Sequence, residues 1–246
     1  MANIAVLILA AGLGKRMGGE LPKVLTPIKG QPLISYLLKS VKDSGVCERP
    51  TIVVGKQADM VKAALGPDYQ YVLQEQQLGT GHAVLVAQEA LRDATDVIVL
   101  YGDHPLISSD FIKKLASAHL ETGSVLTMGV VHTPDYDDWR SELRSFGKII
   151  RDQDGKIIRI VERKDASEEE AKIMELNPGY YCFKADWLWE YLEKITTDNA
   201  QQEYYLTDLV AMAVAEGHSI KTVAVAPKEA LGINTPEQLR AIEQLL

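Results

Sequence analysis

The apolar positions of the first hundred residues fall into two alternating patterns. Ile4-Ala-Val-Leu-Ile-Leu9 is an unbroken apolar run that passes through Ala10 and Ala11 into Gly12-Leu-Gly14. A strand covered on both faces has this continuous pattern, whereas a half-exposed strand alternates. Between residues 31 and 45, Leu33, Ile34, Leu37, Leu38 and Val41 recur at helical spacing, and Gly45 is placed to stop the helix. Segments 51–54, 57–65, 69–73, 83–91 and 97–101 repeat the strand and helix alternation. The pattern predicts right-handed βαβ units and hence an α/β fold with a Rossmann-like, doubly wound, mostly parallel sheet.

After Gly102-Asp103 the rhythm changes. Residues 124–131 read as a strand, 148–151 and 156–161 flank the turn Asp152-Gln-Asp-Gly155, and 180–183 form a further short strand. A smaller lobe built around a hairpin fits this better than more βαβ units. Trp187, Leu188, Tyr191, Leu192 and Ile195 have helical spacing and read as core. Residues 204–216 read as a helix stopped by Gly217, and 220–225 as a strand. Thr235-Pro-Glu-Gln238 opens the last helix with a cap, a first-turn proline and a capping-box partner. The charged run 163–170 reads as a solvated loop or a helix start. No repeat or long linker divides the chain, so 1–246 is expected to be a single domain. Its lobes are approximately 1–105 and 106–226, with 227–246 returning to the first.

At 246 residues, 46% hydrophobic and 24% charged, the chain can build a sizeable core and is neither a disordered segment nor a small disulfide scaffold. Its net charge of −8 opposes a phosphate backbone, which argues against nucleic-acid partners and leaves only a locally basic anion site. Cys47 and Cys182 stand far apart, with no clustered histidine, and read as idle thiols of a cytoplasmic protein. The apolar stretch 4–11 lacks a basic lead-in and falls short of the ~20 residues of a membrane span, so neither a leader nor a membrane partner is expected.

The chemistry-bearing segment is Leu9-Ala-Ala-Gly-Leu-Gly-Lys-Arg16, where a buried strand runs into small residues. Such a loop lets backbone N–H groups approach phosphate oxygens with no side chain between them. A dinucleotide fingerprint would need Gly or Ala at Met17, and strand two ends Val53-Val54-Gly55 without the acidic residue that holds a ribose. A P-loop would need a spaced Gly-Lys-Ser/Thr, which is absent. A third type of anion cradle remains, with Lys15, Arg16 and Lys23 close behind the glycines; the loop alone is also compatible with a tight turn bearing a solvated basic edge.

Leu9-Ala-Ala-Gly-x-Gly-x-Arg-Met17 followed by Leu21-Pro-Lys-Val-Leu25 resembles the signature of the sugar-phosphate nucleotidyltransferases, most closely their N-acetylglucosamine-1-phosphate uridylyltransferase domain. The likeness continues, in order, through Gln74-Glu-Gln-Gln-Leu-Gly-Thr-Gly-His-Ala83, Tyr101-Gly-Asp103, Phe146-Gly-Lys148, Val161-Glu-Arg-Lys-Asp-Ala166 and Glu175-Leu-Asn177. It ends with Asn199-Ala-Gln-Gln-Glu-Tyr-Tyr-Leu-Thr-Asp208 and Gly232-Ile-Asn234. The resemblance implies the fold of the nucleotide-diphospho-sugar transferases and a reaction between UTP and a sugar 1-phosphate, with attack in line on the α-phosphorus and departure of pyrophosphate. Such a transfer asks for charge neutralisation and alignment more than for a covalent nucleophile.

Permanent positive charge at Arg16 and Lys23 suits the triphosphate, and the similarity puts Lys23 near the α-phosphate and Arg16 toward the leaving group. Asp103, following a strand, would project at the C-terminal edge of the sheet, and with Asn234 offers Mg²⁺ the one or two oxygens it takes from protein. The family likeness gives both residues that role. By the same similarity the backbone of Leu9, Ala10, Ala11 and Gly12 lies under the nucleoside with Gly14 close by, and Gln74, Gln77 and Gly79 read the base. Thr80, Tyr101, Gly147, Glu162 and Asn177 correspond to the sugar side. His82 and His104 read as structural or supporting. Lys15, His104, Lys148 and Pro178 depart from the family pattern, Pro178 constraining Asn177 beside the sugar. The bifunctional relatives carry a hexapeptide-repeat acetyltransferase after this domain; nothing of that kind follows Leu246, so no acetyltransfer is expected, and a homo-oligomer stays open. The alternatives are another acceptor or base (glucose 1-phosphate, dTTP, CTP) and a nucleotide-sugar sensor without catalysis.

Overall fold

The unbroken apolar run becomes β1 (Ile4–Ala10), the central strand of the parallel part of the sheet. The computed structural model describes residues 3–12, 14 and 21–245. β1 is parallel to β4 (Thr51–Val54) on one side and to β6 (Asp96–Tyr101) on the other, and β5 (Gln70–Leu73) pairs in parallel with β4 as the edge. A short ribbon, β2 (Pro27–Ile28) and β3 (Gln31–Pro32), leads into α1 (Leu33–Ser44). α2 (Ala58–Leu65) and α3 (Thr80–Leu85) follow β4 and β5. The continuous run has a simple cause. Val6 and Ile8 belong to the core formed with α1 and α4 (Ser109–Thr122), whereas Leu7 and Leu9 belong to the core formed with α3, α5 (Ala185–Leu192) and α6 (Asp208–Ala215). Alternate side chains therefore enter two different cores, and no position is left for a polar residue.

Beyond β6 the sheet becomes mixed and then forks. β11 (Tyr181–Lys184) lies antiparallel between β6 and β7 (Leu126–His132), and β12 (Lys221–Val225) pairs in parallel with β7. β10 (Glu175–Asn177) also pairs antiparallel with β7, but its other edge takes β8 (Gly147–Arg151), which pairs with β9 (Ile157–Val161) across the Asp-Gly turn. β10 and β11 are thus one stretch of chain bent at Pro178-Gly179, serving β8 before the bend and β6 after it. Pro178, without an N–H, stands where the ladder changes partner, and Gly179 has φ +86°. Side-chain bonds hold the bend: the Gly179 N–H donates to Asn177 Oδ1 at 3.1 Å, and Asn177 Nδ2 donates to the Tyr181 hydroxyl at 2.6 Å.

The sequence expectations hold for these strands, and two of the expected helices are corrected. The helix expected at 83–91 is α3, followed by a separate single turn at Glu89–Leu91. The helix expected at 204–216 is the shorter α6, because the Tyr204 carbonyl, which a helix starting there would offer to the Asp208 N–H, accepts instead from the Gly81 N–H. α4, β10 and the β2–β3 ribbon were not foreseen. The chain closes with α7 (Pro236–Glu243), capped by Thr235 and boxed by Gln238 as expected. Among the described residues no helix is long and apolar enough to cross a membrane.

At the end of the sheet away from the glycine loop, Asp96 is buried between Lys184 Nζ (2.7 Å) and His119 Nε2 (3.0 Å). Burial pushes its carboxyl up, but hydrogen bonds from Lys184 and Thr95 outweigh it, so the group titrates below the usual range. Burial also lowers the pKa of His119, against the pull of Asp96. Both shifts have one sign: the unfolded chain binds more protons on acidification, so the stability they contribute is present above the ordinary pKa values and declines as pH falls, through the histidine first and the carboxylate later. Asp96→Ala is expected to cost about 3 kcal/mol at neutral pH, the low end for breaking a buried pair because Lys184 keeps part of its surface in water. It should also flatten the acid limb. Urea melts across pH check both points, and an unchanged midpoint would refute them.

Candidate active site

The C-terminal ends of β1 and β6 and the segment 74–80 enclose a cleft of about 780 Å³. Leu9, Ala10, Ala11 and Gly12 form its floor as an extension of β1. Lys23 enters from a single helical turn, Lys23–Leu25, set by Pro22, and a Cβ on Gly14 would come within 2.9 Å of the Lys23 Cβ. The close approach of these two segments is therefore available to glycine. Lys15 and Arg16 lie outside the described residues.

Three residues from distant parts of the chain meet at one side of the cleft. Lys23 Nζ donates to Asp103 Oδ2 and, at 2.7 Å, to Asn234 Oδ1. Asp103 is carried on the turn after β6, and Asn234 lies just ahead of α7. The backbone N–H of Asn234 donates to Gln238 Oε1 at 2.5 Å, and Gln238 Nε2 reaches Glu142. Burial pushes the Asp103 carboxyl up, but the Lys23 ammonium, by its charge and its hydrogen bond, holds it below the usual range, so it is charged at neutral pH. Two hard oxygens thus converge on one cationic atom, here the tethered ammonium. The same donor set suits Mg²⁺, which takes one or two protein oxygens and completes its shell with water and phosphate.

His104 stands beside this cluster with Nε2 3.7 Å from Asp103 Oδ1. Its Nδ1 is 2.6 Å from the Tyr180 hydroxyl, whose single proton goes to the Glu229 carbonyl at 3.0 Å. Nδ1 must therefore donate, which assigns the neutral tautomer with its lone pair on Nε2. Burial lowers its pKa. His104 ties Asp103 to the segment before Asn234, a supporting position.

At the far end of the cleft, Gln74 is buried and its Nε2 donates to His82 Nδ1 (3.0 Å) and Gly79 O (3.3 Å), while Gln77 Nε2 donates to Ala11 O. Gly79 has φ +114°, and a Cβ there would meet Tyr204 O at 2.6 Å. The loop is clasped by the chain at 204–206: Gly81 N–H donates to Tyr204 O at 2.8 Å, and Leu206 N–H to Thr80 Oγ1 at 3.0 Å.

A second compartment of about 660 Å³ shares Thr80, Tyr101 and Glu203 with the first and lies in the fork of the sheet. Gly147, Glu162, Asn177 and Gly179 line it. Burial raises the pKa of Glu162, partly offset by a hydrogen bond with Thr207, and burial together with Asp165 brings Asp208 up to about 6. Tyr101 is pushed up by burial and by the charges of Glu162 and Asp103, and stays a neutral phenol. One compartment therefore ends at a lysine and the other is bordered by carboxyl groups.

Of the sequence-named site residues among those described, all but Gly14 and Asn234 line one or both compartments, and those two lie against Lys23. Glu203, Tyr205 and Thr207 line the second compartment without having been singled out. Their segment was noted in the sequence only as a matching block, because a polar run gives no local sign that it crosses back over a distant loop.

A model of the MobA-like NTP transferase domain matches residues 6–202. The chain is 40% identical over its whole length to the bifunctional protein GlmU of Caldanaerobacter subterraneus subsp. tengcongensis, of which it covers 52%. It is 38% identical over 99% of its length to the bifunctional protein GlmU of Desulfotalea psychrophila, of which it covers 70%. The chain spans about half the length of most of these curated relatives. In fold it is similar to a UDP-glucose pyrophosphorylase solved with UDP-glucose, with TM-score 0.77, 22% identity and coverage of 100% of this chain and 98% of that one.

Proposed function

Since the chain belongs to the MobA-like NTP transferase domain family, we propose that it transfers a uridylyl group from UTP to N-acetylglucosamine 1-phosphate. The observation that carries this reading is the meeting of Lys23, Asp103 and Asn234 beside the joint of two compartments, one fit for a nucleotide and one bordered by hydrogen-bonding carboxyl groups. In the transfer, an oxygen of the sugar phosphate forms a bond to the α-phosphorus of UTP as the bond to the bridging oxygen breaks, and pyrophosphate leaves with the electron pair. No proton has to move, which fits a site whose histidine is a neutral support.

Mg²⁺, held by Asp103 and Asn234, would offset triphosphate charge. Lys23 turns its ammonium to the α-phosphate oxygens, where negative charge is held during transfer, and Arg16 serves the leaving pyrophosphate. The backbone of residues 9–12 and the glycines beside it let the triphosphate approach closely. Gln74, Gln77 and Gly79 read the uracil edge, and burial of Gln74 makes a mismatched base costly. Thr80, Tyr101, Gly147, Glu162 and Asn177 hold the sugar. Glu162 and Glu203 disfavour an acceptor carrying a further negative charge and favour hydroxyl and amide donors.

The test is pyrophosphate release with Mg²⁺ from UTP, dTTP or CTP, each with N-acetylglucosamine 1-phosphate or glucose 1-phosphate. The expected result is preference for UTP with the acetamido sugar. Preference for another pair would move the substrate assignment, and silence with every pair, despite UDP-sugar binding by calorimetry, would make the protein a sensor.

A further inference from the structure

The β8–β9 hairpin has a second face. Gly147 and Glu162 line the sugar-side compartment, and the residue after each belongs to the other side, Lys148 by strand alternation within β8 and Arg163 in the turn after β9. There a groove of about 720 Å³ is walled by Tyr136, Arg144, Arg163, Lys172 and Met174. The Arg144 Cζ lies 4.7 Å from the centroid of the Tyr136 ring, and Lys148 Nζ 5.0 Å from it. Lys148 is fully buried, and its ammonium donates to the Tyr136 hydroxyl (2.9 Å) and the Arg144 carbonyl (3.3 Å), both neutral. Burial, with Arg163 and Arg144 nearby, brings its pKa down to about 8.

Among the described residues the carboxylates around the groove are already engaged. Asp135, which also lines it, pairs with Arg140 at 2.5 Å, Glu170 with Arg159 at 2.5 Å and Glu169 with Lys172 at 2.7 Å. Among the described residues Arg144, Arg163 and Lys148 form no ion pair. Three cations gathered about one ring without a counter-charge repel each other, and an anion relieves that repulsion. Two guanidinium forks match a tetrahedral, doubly charged phosphate better than a single planar carboxylate.

We propose that this groove is an anion site that takes the phosphate group of a small metabolite, held by Arg144 and Arg163 above Tyr136. The site is separate from the triphosphate cradle and does not depend on the transfer reaction.

The first test is phenylglyoxal labelling of the intact chain, mapped by mass spectrometry. Inorganic phosphate is expected to slow labelling of Arg144 and Arg163 several-fold and to leave exposed Arg49 unchanged. Equal labelling with and without phosphate overturns the proposal. The second test is calorimetric titration with inorganic phosphate of the wild type and of the Arg144→Ala/Arg163→Ala variant. Phosphate bound near Lys23 is common to both proteins and drops out of the difference, and the variant should lose about tenfold in affinity at the groove. Identical isotherms overturn the proposal, and protection by citrate without protection by phosphate overturns its ligand class. Failure of the UTP reaction leaves both readouts intact, so the two readings fail separately.

Discussion

Lys23→Ala is expected to lower kcat for pyrophosphate release by about 100- to 1,000-fold, the usual cost of removing one preorganised donor aimed at transferring charge. The ammonium links Asp103 Oδ2 to Asn234 Oδ1. Its loss leaves a largely buried carboxylate beside a neutral amide and takes permanent positive charge from the phosphate. Lys23→Arg should not restore the rate, because a planar fork cannot occupy the point where two oxygens converge. Asp103→Asn should also be severe. The double variant should fall well short of the product of the two losses, since groups in direct contact act as a unit. Circular dichroism checks the fold; full turnover in a folded Lys23→Ala protein would refute the site.

The second large effect concerns shape. At Gly179, φ is +86° and a Cβ would lie 2.4 Å from Tyr101 Cε2. Gly179→Ala is therefore expected to cost about 2–5 kcal/mol, the sum of the left-handed backbone penalty and the strain of overpacking. The Tyr101 ring, a wall of both compartments, must move, so acceptor KM should rise. Gly155→Ala is the matched control: φ there is +79° with nothing within 4 Å of the added carbon, so it carries the backbone penalty alone, of about 1–2 kcal/mol. Equal unfolding midpoints for the two variants would show that the contact with Tyr101 contributes nothing.

The legible parts of the molecule are those in which one local pattern has one cause. Ile4 to Ala10 reads as doubly covered because alternate residues enter two cores, and Thr235 to Gln238 reads as a helix start because the cap is complete within four positions. α4 carries an equally local signal, with Ser108 accepting from Phe111 N–H and with Phe111, Ile112 and Leu115 on one face. β10 is too short to have a period. Asp103 and Asn234 share no local pattern, and the resemblance to other chains named both for one metal; that Lys23 joins them comes from the structure alone. Pro178 read as a disturbance beside Asn177; in the fold it marks the place where a ladder changes partner, which no single-strand pattern reveals.

That change of partner bears on how such a protein can diversify. One uninterrupted stretch, 175–184, gives a wall to the second compartment and then a neighbour to β6, so covalent bonds set the distance between the two ends of the site. An insertion there would throw both ladders out of register at once, flipping inward side chains outward. New acceptors must therefore arise by exchanging side chains on the hairpin or by lengthening its connections. A directed-evolution library should randomise positions around 145–147 and 162 and leave 175–184 untouched.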